Sequence, residues 1–190
     1  MLNKIEKEYN ERYFRIHQEI QEAFLSLYYL KELKEVGLFD KNITFRNEFA
    51  YYIVHNMQEK LCLQIYKLII DKACKNHKSI QDFVDKVINK NNLFAINISF
   101  EKSEYIDGNL ENKVTLYRHH YLNHIGENLD IDPILITDLE EVLMKVAKFF
   151  NTLYIKNLIP INNKFTDLYL SNLRQKCKLA VSDTIKESIN

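Results

Sequence analysis

The chain has 190 residues, with 46 % hydrophobic residues, 27 % charged residues and a formal net charge of zero at neutral pH. This length and composition predict a single folded domain over residues 1–190. Three glycines and two prolines argue against a disordered chain and a turn-rich β fold. Zero net charge counts against a general nucleic-acid binder, so RNA binding would need a local basic patch or a concave site.

The glycines and prolines fall where the hydrophobic period breaks, and the segments between them are predicted to be helical. The first helix is predicted over residues 3–36, with Gly37 ending it. Its apolar residues recur at steps of three and four, which is typical of a helix packed against other helices. These residues are Tyr9, Tyr13, Ile16, Ile20, Ala23, Leu27 and Leu30.

A second helix is predicted from about residue 44 to residue 74. Basic residues near its end could bind phosphate, or could simply stabilise the negative end of the helix dipole. Ser79 is predicted to cap a short helix that runs through Ile88. The basic residues are Lys72, Lys75, His77 and Lys78.

Residues 90–111 are predicted to form an irregular insertion, with a turn at Asp107 and Gly108. Loops of this length are often functional, although a passive insertion is an equal alternative. The next helix is predicted over about residues 110–125, before Gly126.

Residues 137–140, Thr-Asp-Leu-Glu, are predicted to be a capping box that opens a further helix. The apolar residues of this helix again recur at steps of four and three. A C-terminal helix is predicted over about residues 166–185. The chain is therefore expected to be an all-α bundle of about five helices. The apolar residues after the capping box are Leu139, Leu143, Val146, Phe150 and Leu153.

Three of the six histidines lie within six residues of the helix predicted at 110–125, directly after an arginine. The order is Arg118, the polar residue His119, four further residues, and His124. Arginine supplies a permanent cation for a phosphate, and histidine exchanges protons near neutral pH. A second arginine and histidine, Arg12 and His17, have a similar spacing but lack the polar residue between them.

The Arg118, His119 and His124 pattern resembles the motif of the HEPN superfamily (higher eukaryotes and prokaryotes nucleotide-binding domain). Ribonuclease members of that family carry an arginine, a polar residue, about four residues and a histidine. The order of helices is similar to the small abortive-infection branch of the family. The resemblance implies a HEPN-like helical fold and a homodimer in which the motif helices of two chains form one composite site.

The resemblance also implies metal-independent cleavage of RNA by the ribose 2′-hydroxyl, in a toxin or a phage-defence protein. His124 would move the protons, and Arg118 would hold the phosphate. His119 would orient the phosphate or the catalytic histidine. We expect Asn123 and His120 to contact the substrate.

Other chemistry has weaker support in the sequence. His120 and His124 are spaced as two ligands on one helical face, but no third ligand is evident nearby, so no metal site is predicted. Nucleotide-binding loop motifs are absent, and no cofactor is expected. The alternative functions are a non-catalytic interaction module and a nucleotide-binding module of the same fold.

The cysteines and the hydropathy predict the compartment of the protein, and the family resemblance predicts a partner. Three cysteines without a C-x-x-C pair suit a reducing cytoplasm. No apolar run is long enough to span a membrane. An antitoxin protein is a possible partner. Some HEPN toxins have a modified tyrosine two residues after the motif histidine, and Gly126 stands there in this chain.

Overall fold

The structure, a computed structural model, describes residues 2–37, 48–71, 79–123, 134–159 and 164–189, without the side chains of 2–3, 48–51, 120–123 and 184–189. All regular elements in these ranges are helical, so the predicted all-α class is confirmed. Five of the six α-helices described exceed fifteen residues, in agreement with a bundle of about five. The helices are α1 (Leu2–Glu35), α2 (Glu48–Ile65), α3 (Ile80–Phe83), α4 (Gly108–Asn123), α5 (Ile136–Thr152) and α6 (Asp167–Ile189).

Helix α1 is the central element of the bundle and contacts α2, α5 and α6. Its predicted apolar stripe, from Tyr9 to Leu30, is fully buried. The helix ends at Gly37, whose φ of 73° is a conformation that favours glycine. The Gly37 amide donates to the carbonyl of Lys34 at 2.9 Å, which supplies one of the terminal carbonyls with a partner. The predicted first helix and its end are confirmed.

Helix α2 does not continue as a regular α-helix to residue 74, as the hydrophobic period suggested. Its last turn, Tyr66–Ile70, is π-helical, and the Asp71 amide donates to the Tyr66 carbonyl at 2.9 Å. A π turn closes its hydrogen bonds over five residues instead of four, and such turns are frequent at functional sites. Leu68 and Ile69 in this turn are both buried. The basic cluster at 72–78 lies outside the described residues.

The short helix predicted after Ser79 is present. Ser79 caps α3 by accepting a hydrogen bond from the Asp82 amide at 3.5 Å, which confirms the predicted cap. The helix continues as a π-helical segment over Val84–Asn89. Within this segment Val87 and Ile88 are buried.

Residues 90–107 carry little regular structure, as predicted, but they are packed against the bundle. The side chain of Asn89 both donates to the Ile98 carbonyl, at 2.7 Å, and accepts from the Ile98 amide, at 2.9 Å. The Phe100 ring lies between Tyr105, at 4.4 Å, and Phe149 of α5, at 5.1 Å between centroids. This segment therefore contributes apolar side chains to the core.

The predicted turn at Asp107 and Gly108 is instead the start of α4. The Asp107 carboxylate accepts from the amides of Asn109 and Leu110, at 2.9 and 3.0 Å, and so caps the helix. The same residue types favour turns and helix caps, so the sequence did not separate the two structures.

The predicted capping box at Thr137 is wrong. Helix α5 begins at Ile136, and the capping position is Leu135, which makes no side-chain hydrogen bond. The Leu135 carbonyl accepts from the Asp138 amide at 3.1 Å. Glu140 does not return to the helix start, because both of its carboxylate oxygens accept from Lys31 of α1 at 2.8 Å. A contact with α1 thus replaces the expected capping box. The five apolar residues predicted after the box are all buried, as expected.

Helix α6 closes the bundle against α1. The Thr166 hydroxyl accepts from the Tyr169 amide at 3.2 Å, close to the predicted helix start. Arg174 reaches across to α1, where it donates to Glu32 at 3.1 Å and to Glu35 at 2.7 Å. Among the helices described, none is long and apolar enough to cross a membrane.

Candidate functional site

Helix α4 carries the arginine and histidine motif and packs against α2 and its π-helical turn. Leu110 and Val114 are buried, and Tyr117 is partly buried against the same core. These residues recur at steps of four and three, so they form the inward stripe of the helix. Arg118 lies four residues after Val114 and therefore borders this stripe. The position explains why Arg118 is half-buried.

Arg118 contacts an aromatic ring from the π-helical turn. Its guanidinium carbon lies 4.1 Å from the ring centroid of Tyr66, which is also half-buried. This is the geometry of a cation–π contact, in which the cation lies over the negative face of the ring. The contact fixes the guanidinium beside Tyr66, and an arginine carries five N–H donors, more than one ring can engage.

No carboxylate of the described residues forms an ion pair with Arg118. Instead, the Tyr66 ring stabilises the guanidinium without neutralising its charge. The arrangement leaves a positioned cation whose N–H edges can donate to an anion.

The histidines of the motif are described only in part. His119 is exposed on α4 and can reach a ligand in solvent. His120 and Asn123 belong to the last turns of α4, but their side chains are not among those described. His124 lies outside the described residues. The pairing of His124 with Arg118 in one site therefore remains a prediction.

The other arginine and histidine with similar spacing have structural roles. Arg12 donates to Asp82 at 2.6 Å and to Glu8 at 3.1 Å. His17 is buried, and its ring stacks on Phe165 at 4.5 Å between centroids. Arg12 is held by two carboxylates and His17 by the core, which distinguishes them from Arg118 and His119.

Tyr66 was not predicted as a site residue. It stands 52 positions before Arg118, and nothing in the local sequence distinguishes it from the other tyrosines. Among the tyrosines that occur in adjacent pairs, Tyr28 is buried, whereas Tyr52 is 67 % exposed.

The described residues contain no group of three or more side chains suited to hold a metal ion. No family model, curated protein or solved structure matches this chain. The candidate site therefore rests on the motif in α4 and on the contact between Arg118 and Tyr66.

Proposed function

We propose that the protein is a metal-independent endoribonuclease with a HEPN-like fold, and that Arg118 holds the scissile phosphate. The observation that carries the proposal is the position of Arg118 over Tyr66, unpaired with any described carboxylate. A guanidinium held in this way is ready to donate two N–H groups to phosphate oxygens before substrate arrives. Because these N–H donors are already in place, less free energy is needed to orient them as negative charge develops on the phosphate.

The proposed reaction is a transesterification. His124 removes the proton of the ribose 2′-hydroxyl, and the 2′-oxygen forms a bond to phosphorus. The bond from phosphorus to the 5′-oxygen then breaks, and the leaving oxygen takes a proton from a histidine. The products are a 2′,3′-cyclic phosphate and a 5′-hydroxyl end. Arg118 stabilises the negative charge on the phosphorane, and His119, His120 and Asn123 orient the substrate.

The second histidine of this scheme comes from the partner in a homodimer. Residues six apart on a helix lie about 120° apart around its axis, so Arg118 and His124 of one chain do not share a helical face. Two facing motif helices would bring the His124 of one chain beside the Arg118 of the other. A protein that is strictly monomeric by light scattering at tens of micromolar, roughly the range of a weak homodimer, would overturn this composite site.

Cleavage of total RNA in excess EDTA tests the proposal. Wild type should cut and leave cyclic phosphate ends, and His124→Ala should not cut. His55→Ala is the matched control, because His55 lies on α2, with its Nδ1 3.3 Å from Glu59, and has no part in the motif. DNA should remain intact, since it lacks the 2′-hydroxyl. Equal cutting by wild type and His124→Ala would overturn the assignment of His124.

The rival functions are a non-catalytic interaction module, which zero net charge favours, and a nucleotide-binding module. Neither requires His124 for its effect. An interaction module should tolerate alanine at both Arg118 and His124, whereas a nucleotide binder should lose its ligand with Arg118→Ala alone.

The proposed setting is a cytoplasmic toxin or a phage-defence protein that an antitoxin controls. Expression of wild type should then arrest bacterial growth, and expression of His124→Ala should not. Because Gly126 replaces the modified tyrosine of some HEPN toxins, an antitoxin would act here by direct binding. Growth arrest by both proteins would contradict a toxic ribonuclease activity.

A further inference from the structure

An open groove lined by three cations and two carboxylates lies between α1 and α2. Its volume is about 380 Å³. One wall is formed by α1, and the other wall is formed by α2 and its π-helical turn. The charged side chains that line the groove are Arg15, Glu19 and Glu22 of α1, Lys60 of α2 and Lys67 of the π-helical turn.

Two of the three cations in this groove have no carboxylate partner among the described residues. Lys60 lies 3.8 Å from the Glu22 carboxylate and is balanced by it. Arg15, which is exposed, and Lys67, which is half-buried, form no ion pair with a described carboxylate. In a chain of zero net charge, RNA binding requires such a local group of uncompensated cations.

The carboxylates and the amide of the groove are engaged within the protein. Glu22 accepts from Nε2 of Gln64 at 3.2 Å and is also paired with Lys60. Glu19 is 5 % exposed and has an interaction of its own. Gln64 Oε1 is enclosed, without a donor in the described part of the chain, so the amide offers nothing to a ligand in the groove. The groups that remain for a ligand are the two uncompensated cations, which select an anion.

The groove adjoins the contact between Arg118 and Tyr66. Leu63 lines the groove and lies three residues before Tyr66, and side chains three apart on a helix are neighbours. Lys67 directly follows Tyr66, and consecutive Cα atoms are about 3.8 Å apart. The Tyr66 ring in turn contacts the guanidinium of Arg118. An anionic chain that passes through the groove beside Lys67 would therefore reach Arg118 next.

We propose that this groove binds the sugar–phosphate backbone of a single RNA strand, next to the phosphate that Arg118 holds. The inference rests on the proposed ribonuclease function, because it extends the bound substrate beyond the scissile phosphate. Arg15 and Lys67 each donate to one phosphate of the strand. An open groove suits a chain that enters and leaves it, whereas small-molecule sites enclose most of their ligand. Phosphate contacts carry no base sequence, so the groove accepts RNA of any sequence.

The binding of a short 2′-O-methyl RNA of mixed sequence tests the proposal. This probe has the phosphates of RNA but no free 2′-hydroxyl, and therefore the protein can bind it without cleaving it. Fluorescence anisotropy measures its affinity at a series of salt concentrations. The slope of log affinity against log salt counts the phosphates that the protein neutralises, at about 0.7 for each contact with a single strand.

Arg15→Gln and Lys67→Gln should each lower the magnitude of this slope by about 0.7, because each variant removes one phosphate contact. Each should also weaken binding roughly 5- to 10-fold at low salt. Lys67→Arg retains the charge and should retain the slope, which separates the loss of charge from a loss of packing. Circular dichroism melting shows whether each variant is folded.

Lys178→Gln is the matched control, because it removes an exposed cation from α6. Arg174, one turn before Lys178, pairs with Glu32 of α1. Glu32 lies about 25 Å beyond Arg15 along α1, at a rise of about 1.5 Å per residue. The affinity and the slope of Lys178→Gln should therefore stay close to those of wild type.

The proposal is overturned if wild type does not bind the probe, or if folded Arg15→Gln and Lys67→Gln bind it with the affinity and slope of wild type. An equal change in Lys178→Gln would also overturn it. An acidic peptide of equal charge that competes as well as unlabelled RNA would overturn RNA as the ligand.

Arg118→Met separates this proposal from the proposed function. If its slope is that of wild type while both groove variants have a smaller slope, the groove binds RNA and the role of Arg118 is wrong. If only Arg118→Met has a smaller slope, Arg118 retains its role and the groove proposal is overturned.

Discussion

Helix α1 contacts two groups of helices that differ in chemistry. Toward α5 and α6 its neighbours are aromatic, and Tyr13 stacks on Phe150 at 4.5 Å between ring centroids. Toward α2 it also meets polar side chains, and Gln64 donates to Glu22 at 3.2 Å beside an open groove. Helix α2 in turn contacts α4, where Arg118 lies over Tyr66. The side of α5 and α6 is aromatic, with the ion pairs of Lys31 and Arg174 near the end of α1, whereas the side of α2 carries the charges that line the groove.

We therefore expect stability and ligand binding to depend on different sides of the bundle. Stacked, buried rings contribute packing and hydrophobic burial. A cation without a carboxylate partner contributes little to stability, but it can bind an anionic ligand. Mutations on the two sides should therefore separate loss of stability from loss of function.

The largest expected effect is on the aromatic side. Phe150→Ala should lower the free energy of unfolding by about 3–5 kcal/mol, because it removes a fully buried ring and leaves a cavity. Urea unfolding measures the change. Phe14→Ala is the matched control. Phe14 is 37 % exposed, so its removal should lower the free energy of unfolding much less. Equal losses for the two variants would show that the aromatic side does not dominate stability.

The two arginines that precede histidines should show opposite effects. Arg12→Met removes a partner of buried Asp82 and should lower the free energy of unfolding by about 3 kcal/mol. This is the low end of the range for a broken buried ion pair, because Lys86 also lies 2.5 Å from Asp82. Its RNA cleavage should be unchanged at temperatures where it is folded. Arg118→Met should retain stability within about 1 kcal/mol, as is usual for changes away from the core, and should lose cleavage. Loss of cleavage in a folded Arg12→Met protein would contradict the assignment of separate roles.

The Tyr66 ring should position Arg118. Tyr66→Leu should lower kcat/KM for RNA roughly 2- to 30-fold, which corresponds to a cation–π contact of about 0.5–2 kcal/mol. Tyr66→Phe retains the ring face and should resemble wild type. The ring-current shift of the Arg118 side-chain proton signals reports the contact whether or not the protein cleaves RNA. If Tyr66→Phe is as defective as Tyr66→Leu, the hydroxyl and not the ring face would be the important group.

The smallest expected effect is the alkaline titration of a buried thiol. Burial raises the pKa of Cys177 from 9.0 to about 11, because the thiolate would lose its hydration. A raised pKa in the folded state stabilises the protein below the unfolded pKa, and this contribution is lost as the pH rises from 9 to 11. The free energy of unfolding should therefore fall less between pH 8 and pH 10.5 in Cys177→Ala than in wild type.

Thiol labelling provides a second measurement of the same property. In a Cys74→Ser background the remaining thiols, Cys62 and Cys177, are buried. Burial raises the pKa of Cys62 further, to about 12, so both should react slowly at pH 8. Urea should restore fast labelling. Fast labelling of the folded protein at pH 8 would contradict the burial of these thiols.

The sequence by itself determined the helices and their inward faces, because three- and four-residue spacing of apolar side chains is a local property. Local chemistry also located the cap at Ser79 and the end of α1 at Gly37. The prediction was wrong at Asp107, because the same residue types favour a turn and a helix cap. It was also wrong at the expected capping box, because Lys31 of α1 binds Glu140 instead.

Only the tertiary structure decided the surroundings of Arg118 and Gln64. The motif histidines and Arg118 could be named from spacing, but the contact with Tyr66 depends on how α4 packs against the π-helical turn. Likewise, the unsatisfied oxygen of Gln64 exists only because α1 brings Glu22 to one end of the amide and leaves the other buried. Both arrangements join residues about 40 to 50 positions apart, and no local spacing encodes them.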